Sequence, residues 1–226
     1  MNFYTKPIVV TMGEPSGISS EIIIKTWLKN KKKIPPFVLI DDLLKLNQVN
    51  SRFNLGAKFE SVKSGQNLSN TFEKAIPVID LKANIEFKPG APNEENSKYV
   101  LKSLNLAVEM VLNKKASGIL TLPVCKTTLK KSKFNFHGQT EYLSFLVKKQ
   151  TGVLQSEIMI LSTTKPVDKG NNLIVGLITT HIPLEKINKT ITKKIVEEKI
   201  LSFKNSLNKI WNVQKPKIAI TRINPH

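Results

Sequence analysis

The sequence predicts an α/β protein in which a parallel sheet carries helices on both faces. Three observations predict it. Short β-branched runs stop abruptly at Gly, Asp or Pro, amphipathic helical stretches lie between them, and no internal repeat or low-complexity linker interrupts the 226 residues. Pro7 to Met12 reads as a buried strand ending at Gly13. Ser19 or Ser20 is then expected to cap a helix from Glu21 to Lys29 that carries Ile22, Ile23, Trp27 and Leu28. Phe37 to Ile40 is the next strand, closed by Asp41-Asp42, and Leu43 opens another helix. Residues 51–85 read as short strands and loops, with 75–79 the clearest strand.

The loop Pro89-Gly90-Ala91-Pro92 leads into the strongest helix, Glu94 to Lys114, where Val100, Leu101, Leu104, Ala107, Val108 and Val111 recur at helical spacing. Gly118 to Pro123 is a strand that ends in a loop, and a helix around Thr140 to Gln150 follows, with Thr140 placed as a cap. Two strands, 157–161 and 173–179, are joined by a Gly170-Asn171-Asn172 turn. A helix beginning at about Leu184 or Thr190 runs to Trp211, and Lys217 to Thr221 is the final strand. In such folds ligands sit beyond the carboxyl ends of the strands. The segments to weigh are therefore Gly13 to Glu21, Pro123 to Lys126, His181, and Asn224 to His226.

Composition removes several classes. A 40% hydrophobic fraction is that of a globular chain, and no run of about eighteen apolar residues offers a membrane span. The single cysteine, Cys125, cannot form an internal disulfide, so a cytoplasmic setting is expected. The net charge of +18 would ordinarily point to nucleic acid, but only Arg52 and Arg222 are arginines. The bidentate fork that reads bases and phosphates is nearly absent, and the lysines are spread along the chain. Specific nucleic-acid binding is not expected; attraction of anionic, phosphorylated metabolites is.

Gly13-Glu14-Pro15-Ser16-Gly17-Ile18 follows a strand and opens a helix. It is compatible with a plain turn or with a turn that holds an anion on free N–H groups, and it is neither a dinucleotide fingerprint nor a P-loop. Histidine is scarce, and His181 and His226 each follow a predicted strand. Two imidazoles at the carboxyl ends of two strands can converge on one metal ion, given further ligands. His137 reads as a loop residue and Cys125 as a bystander thiol.

Taken in order, these segments resemble the 4-hydroxythreonine-4-phosphate dehydrogenase family, the NAD-dependent enzymes of pyridoxal phosphate biosynthesis. The resemblance spans essentially the whole chain. It rests on the Gly13 to Ile18 segment, Pro89-Gly90, Pro123-Val124-Cys125-Lys126, Gly138-Gln139-Thr140-Glu141-Tyr142-Leu143, Thr179-Thr180-His181-Ile182-Pro183-Leu184 and Asn224-Pro225-His226. The last two are the most specific.

The resemblance implies a homodimer of two-domain α/β subunits related to isocitrate and isopropylmalate dehydrogenases, with the active site in an interdomain cleft at the dimer interface. Residues 1–125 would belong to the first domain and 126–226 to the second. A divalent metal (Zn, Mg or Co) would be held by three histidines, His181 and His226 among them. Gln139 and Thr140 match substrate-contacting positions, and Lys126 matches a recurrent site lysine. NAD or NADP would be the oxidant. The substrate would be a small phosphorylated hydroxy acid, 4-phosphooxy-L-threonine, oxidised at C3 and then decarboxylated.

Two departures qualify this. Gln139 stands where the family usually has histidine, and Ser19-Ser20 replaces the usual Gly-Pro. An amide cannot take up a proton near neutral pH, which opens the alternative of another phosphorylated sugar acid, erythronate or threonate phosphate. The sequence also stops at His226, inside a family motif, so the expectation is an N-terminal portion lacking the third metal histidine and most cofactor contacts. From a different class, a non-catalytic basic binding protein is the remaining alternative.

Overall fold

The computed structural model describes residues 6–132, 134–153, 156–166 and 172–221. Two compact units divide the chain, 1–151 and 152–226. The first is built on five parallel strands: β1 (Ile8–Val10), β2 (Phe37–Asp41), β3 (Phe59–Ser61), β4 (Ile76–Asp80) and β5 (Gly118–Leu120), in the spatial order β3-β4-β2-β1-β5. The parallel α/β expectation thus holds.

Alternation along the strands sends side chains to two separate cores. Val10, Leu39, Ile76 and Val78 pack against α1 (Ser19–Asn30), α2 (Leu43–Arg52) and α3 (Ser69–Lys74) through Ile23, Ile24, Trp27, Leu46, Val49 and Phe72. Val9, Val38 and Ile40 face the other way, toward α4 (Ser97–Leu112), α5 (Lys126–Lys131) and α6 (Gln139–Thr151), which contribute Val100, Leu104, Val108, Leu129, Tyr142 and Leu146. The sheet is therefore a middle layer, and its central strands are apolar on both sides. Trp27 spans its core with the indole N–H donating to the Phe72 carbonyl at 2.9 Å.

The chain steps from β1 to β2 through α1 and later reaches the opposite side of β1 through α4. The winding direction reverses between β1 and β5. In open α/β sheets this reversal leaves a crevice at the carboxyl ends of the two strands.

Asp42 shapes the neighbouring strand end. Its carboxylate caps α2 by accepting from the Lys45 N–H at 2.9 Å. It also accepts from the N–H groups of Ala83, Asn84 and Ile85 at 2.8, 2.9 and 3.3 Å. These bonds hold a loop in which Lys82 and Asn84 take left-handed φ values of 49° and 52°.

In the second unit β6 (Met159–Ser162) pairs antiparallel with β7 (Ile174–Leu177). A short helix α7 (Ile187–Thr190) precedes α8 (Lys193–Ile210), and α8 packs on the ribbon so closely that Phe203 lies over Gly176. Thr192 caps α8, its hydroxyl accepting from the Ile195 N–H at 3.3 Å.

Several expectations are corrected. α1 starts at Ser19 with Ile18 as its N-cap and no side-chain cap, because both serines are engaged elsewhere. Thr140 is the second residue of α6 rather than its cap. The short helices α3 and α5 lie where loops were expected. Residues 217–221 form no strand, since no described strand pairs with them, and Ile220 is left exposed. The Gly170-Asn171 part of the expected turn, and the Asn224-Pro225-His226 segment, lie outside the described residues.

Candidate functional site

The β1–α1 loop and the loop after β5 are bound together at the reversal point. The Pro123 carbonyl oxygen accepts from the Glu14 N–H at 2.7 Å and from the Ser19 hydroxyl at 2.9 Å. Thr11 N–H donates to the Leu120 carbonyl at 3.0 Å, and Leu122 N–H reaches the Thr11 hydroxyl at 3.4 Å. Gly13 sits between the loops with φ +69°, where an added Cβ would lie 2.8 Å from both Leu122 Cβ and the Pro123 oxygen and would strike Ser19 Oγ. Only glycine fits both the backbone angle and the space. The Pro89–Gly90 loop joins the same end, with Gly90 N–H donating to the Ser16 carbonyl at 2.9 Å.

Glu14 is buried here. One carboxylate oxygen accepts from the Ser16 N–H at 3.2 Å, and the other accepts from the Thr128 hydroxyl at 3.4 Å. Cys125 precedes α5 a few residues away. The Thr128 N–H, and after it the Thr128 hydroxyl, stabilise its thiolate and hold the thiol below its ordinary value, against the opposing charge of Glu14.

Of the sequence-predicted site residues, Gln139 is brought to this crevice. Its Nε2 donates to the Leu122 carbonyl at 3.2 Å, while Oε1 is buried without a hydrogen-bond partner. That bond settles the amide's orientation, because a carbonyl can only accept. Thr140 and Lys126 are exposed at the starts of α6 and α5. His181 belongs to the second unit, exposed just beyond β7 with a left-handed φ of 55°. His226 lies outside the described residues. Among the described residues no group of three or more His, Cys, Asp or Glu gathers as a metal set, and His181 offers one imidazole donor there.

Sequence reasoning passed over a polar cluster at the next strand end. Lys45 is wholly buried, its ammonium 2.7 Å and 2.9 Å from the two Asp41 oxygens and 2.8 Å from Ser20 Oγ. Burial pushes the Asp41 carboxyl above its ordinary value, with Lys45 pulling the other way. The signal was the i, i+4 spacing of Asp41 and Lys45 across a strand–helix turn.

The family described as "Pyridoxal phosphate biosynthetic protein PdxA" matches residues 32–226. A 4-hydroxythreonine-4-phosphate dehydrogenase of a Sulfurihydrogenibium species is 31% identical over 219 residues, covering 97% of this chain and 63% of the relative. One from Methylorubrum extorquens is 28% identical over 224 residues, covering 98% and 62%. A solved chain from Salmonella typhimurium superposes with a TM-score of 0.82 at 26% identity, covering 98% of this chain and 65% of that one. The 4-hydroxythreonine-4-phosphate dehydrogenase of Klebsiella pneumoniae gives 0.81 at 24% identity, covering 98% and 65%. The chain spans under two thirds of the length of each of these relatives.

Proposed function

Because the chain belongs to the PdxA family, we propose that the protein oxidises the C3 hydroxyl of 4-phosphooxy-L-threonine with NAD or NADP, with decarboxylation to 3-amino-2-oxopropyl phosphate. The observation that carries this reading is the tied pair of loops at the β1/β5 reversal, into which Gln139 projects its amide. It acts in the cytoplasm as a homodimer. His181 and His226 are two of the ligands of a divalent cation, Zn, Mg or Co. When bound, the cation and the nicotinamide supply Lewis acidity toward the substrate hydroxyl and an acceptor for its hydride.

The chain's own residues bind and orient. Gln139 is bonded through Nε2 to the Leu122 carbonyl, which orients its amide, and an amide does not exchange a proton near neutral pH. The exposed hydroxyl of Thr140 is a substrate contact one residue on, and Lys126 offers a positive charge to an anionic group at the same end of the sheet. The Glu14–Pro123 and Ser19–Pro123 bonds keep the crevice walls in register while substrate enters.

The test is NADH formation from 4-phosphooxy-L-threonine, compared with erythronate and threonate phosphates, alongside metal content. NADH from the threonine derivative and loss of metal in His181→Ala and His226→Ala support the reading. Metal unchanged in both variants removes the ligand assignment, and turnover of a sugar-acid phosphate alone transfers the substrate. Gln139 in place of histidine is what favours that second substrate class. Salt-sensitive duplex binding without turnover would instead mark a basic binding protein.

A further inference from the structure

Lys45 and its partners take no part in the chemistry proposed above, yet they reach the crevice through α1. A lysine ammonium carries three N–H donors. At Lys45 these meet Asp41 Oδ1 at 2.7 Å, Asp41 Oδ2 at 2.9 Å and Ser20 Oγ at 2.8 Å, and both Lys45 and Ser20 are buried. Asp41 belongs to the strand end from which α2 itself grows. Ser20 does not: it lies in the first turn of α1, 25 residues earlier. An apolar filling is often as stable as a buried ion pair, so the ammonium is better accounted for by what it fixes than by what it contributes.

What it fixes is the rotation of α1. Ser19 and Ser20 are neighbours on a helix, so their side chains leave the axis about 100° apart. Lys45 holds Ser20 in one direction, and Ser19 donates to the Pro123 carbonyl at 2.9 Å in the other. The helix has no side-chain cap, so these two hydroxyls tie its first turn to the elements around it. A helix held at two points so disposed cannot slide or turn without breaking one of them. The Pro123 carbonyl also accepts from the Glu14 N–H, and the neighbouring Leu122 carbonyl accepts from Gln139 Nε2 at 3.2 Å. An unbroken run of hydrogen bonds and covalent neighbours thus joins Lys45 to Gln139.

We propose that Lys45 is a positioning residue for the crevice: acting through Ser20, it holds α1 at the rotation from which Ser19 reaches Pro123, and so keeps the β1/β5 edge and Gln139 in place. This rests on the dehydrogenase reading for what the crevice does, and on the hydrogen bonds alone for the clamp.

Amide exchange on the full chain, compared at Glu14 and at Ile76, tests it. The Ile76 N–H, bonded to the Lys58 carbonyl at 2.8 Å beside the far strand pair, reads overall opening. Ser20→Ala speeds exchange at Glu14 at least about tenfold relative to Ile76, and Ser20→Thr, which keeps the hydroxyl, leaves the ratio within about threefold of the parent's. Asp41→Asn/Lys45→Met removes the ammonium without stranding a buried carboxylate, and it matches Ser20→Ala. Adding Ser20→Ala to that pair changes the ratio no further, because both break one bond. Equal acceleration at the two amides, an unmoved Glu14 amide, or additive effects would each overturn the proposal. In NADH formation from 4-phosphooxy-L-threonine, Ser20→Ala lowers kcat/KM at least about threefold with the folded fraction unchanged. A parent-like kcat/KM there overturns the positioning role. A parent chain that forms no NADH removes the dehydrogenase reading, while the exchange ratios still decide the clamp.

Discussion

The Pro123 carbonyl and the Glu14 backbone N–H are 2.7 Å apart, across two loops more than a hundred residues distant in sequence. This bond, shared with the Ser19 hydroxyl, makes the end of β1 and the end of β5 one rigid edge. Gln139 is bonded to the same edge through the Leu122 carbonyl.

Gly13→Ala is expected to destabilise the protein by about 3 kcal/mol, since it adds both left-handed strain and an unavoidable overlap with Leu122 and Pro123. Gly56→Ala and Gly90→Ala share a φ of +74° but have nothing within 4 Å, so each costs about 1 kcal/mol. Denaturant midpoints of the three variants read the difference; equal losses would mean that close approach at Gly13 is unimportant.

Asp42→Ala is expected to cost about 3 kcal/mol, because it strips the α2 cap and leaves three loop N–H groups without their acceptor. Hydrogen exchange at Ala83, Asn84 and Ile85 accelerates in parallel. Asp42→Asn, which keeps one acceptor oxygen, falls between the two.

Lys45→Met leaves Asp41 buried without its cation and is expected to cost about 3–5 kcal/mol at neutral pH. The Asp41 carboxyl is already raised by burial, so the folded state binds its proton more tightly than the unfolded chain does. Stability from this group therefore grows as pH falls from its folded value toward the ordinary aspartate value, and is lost as pH rises through the folded value. Lys45→Met should accordingly recover part of its loss on moving from neutral to mildly acidic solution, whereas Asp41→Asn/Lys45→Met should show no such recovery. Urea titrations at the two pH values decide it.

Cys125 is expected to react with iodoacetamide at neutral pH faster than an unperturbed thiol, because Thr128 stabilises its thiolate. Thr128→Val removes the hydroxyl but keeps the N–H and so raises the thiol's titration midpoint part of the way. Glu14→Gln removes an opposing charge and lowers it. A midpoint unmoved by both changes would rule out this account of the thiol.

The sheet was legible because its central strands are apolar on both faces, and continuous apolar runs rich in β-branched residues, such as Val9-Val10 and Val38-Leu39-Ile40, have few other uses. α4 was legible from its spacing alone. α3 and α5 were not: six residues carry too little periodicity, and both form because neighbouring strands leave them a seat. Ser19 and Ser20 read as caps since serine favours that role, yet Pro123 and Lys45, remote in sequence, claim their hydroxyls. Gln139 was picked out by resemblance, but its tether to Leu122 is a long-range fact that no local pattern encodes. Lys45 was lost among the surface lysines, where a charged residue in an amphipathic helix ordinarily belongs.

That buried lysine also gives the protein an internal reporter. Amine-reactive reagents modify ammonium groups that water reaches, and the many surface lysines will label readily, whereas Lys45 offers no accessible surface. Its appearance in a labelling map, timed against the others by mass spectrometry, would clock the parting of α2 from the end of β2 without any engineered probe.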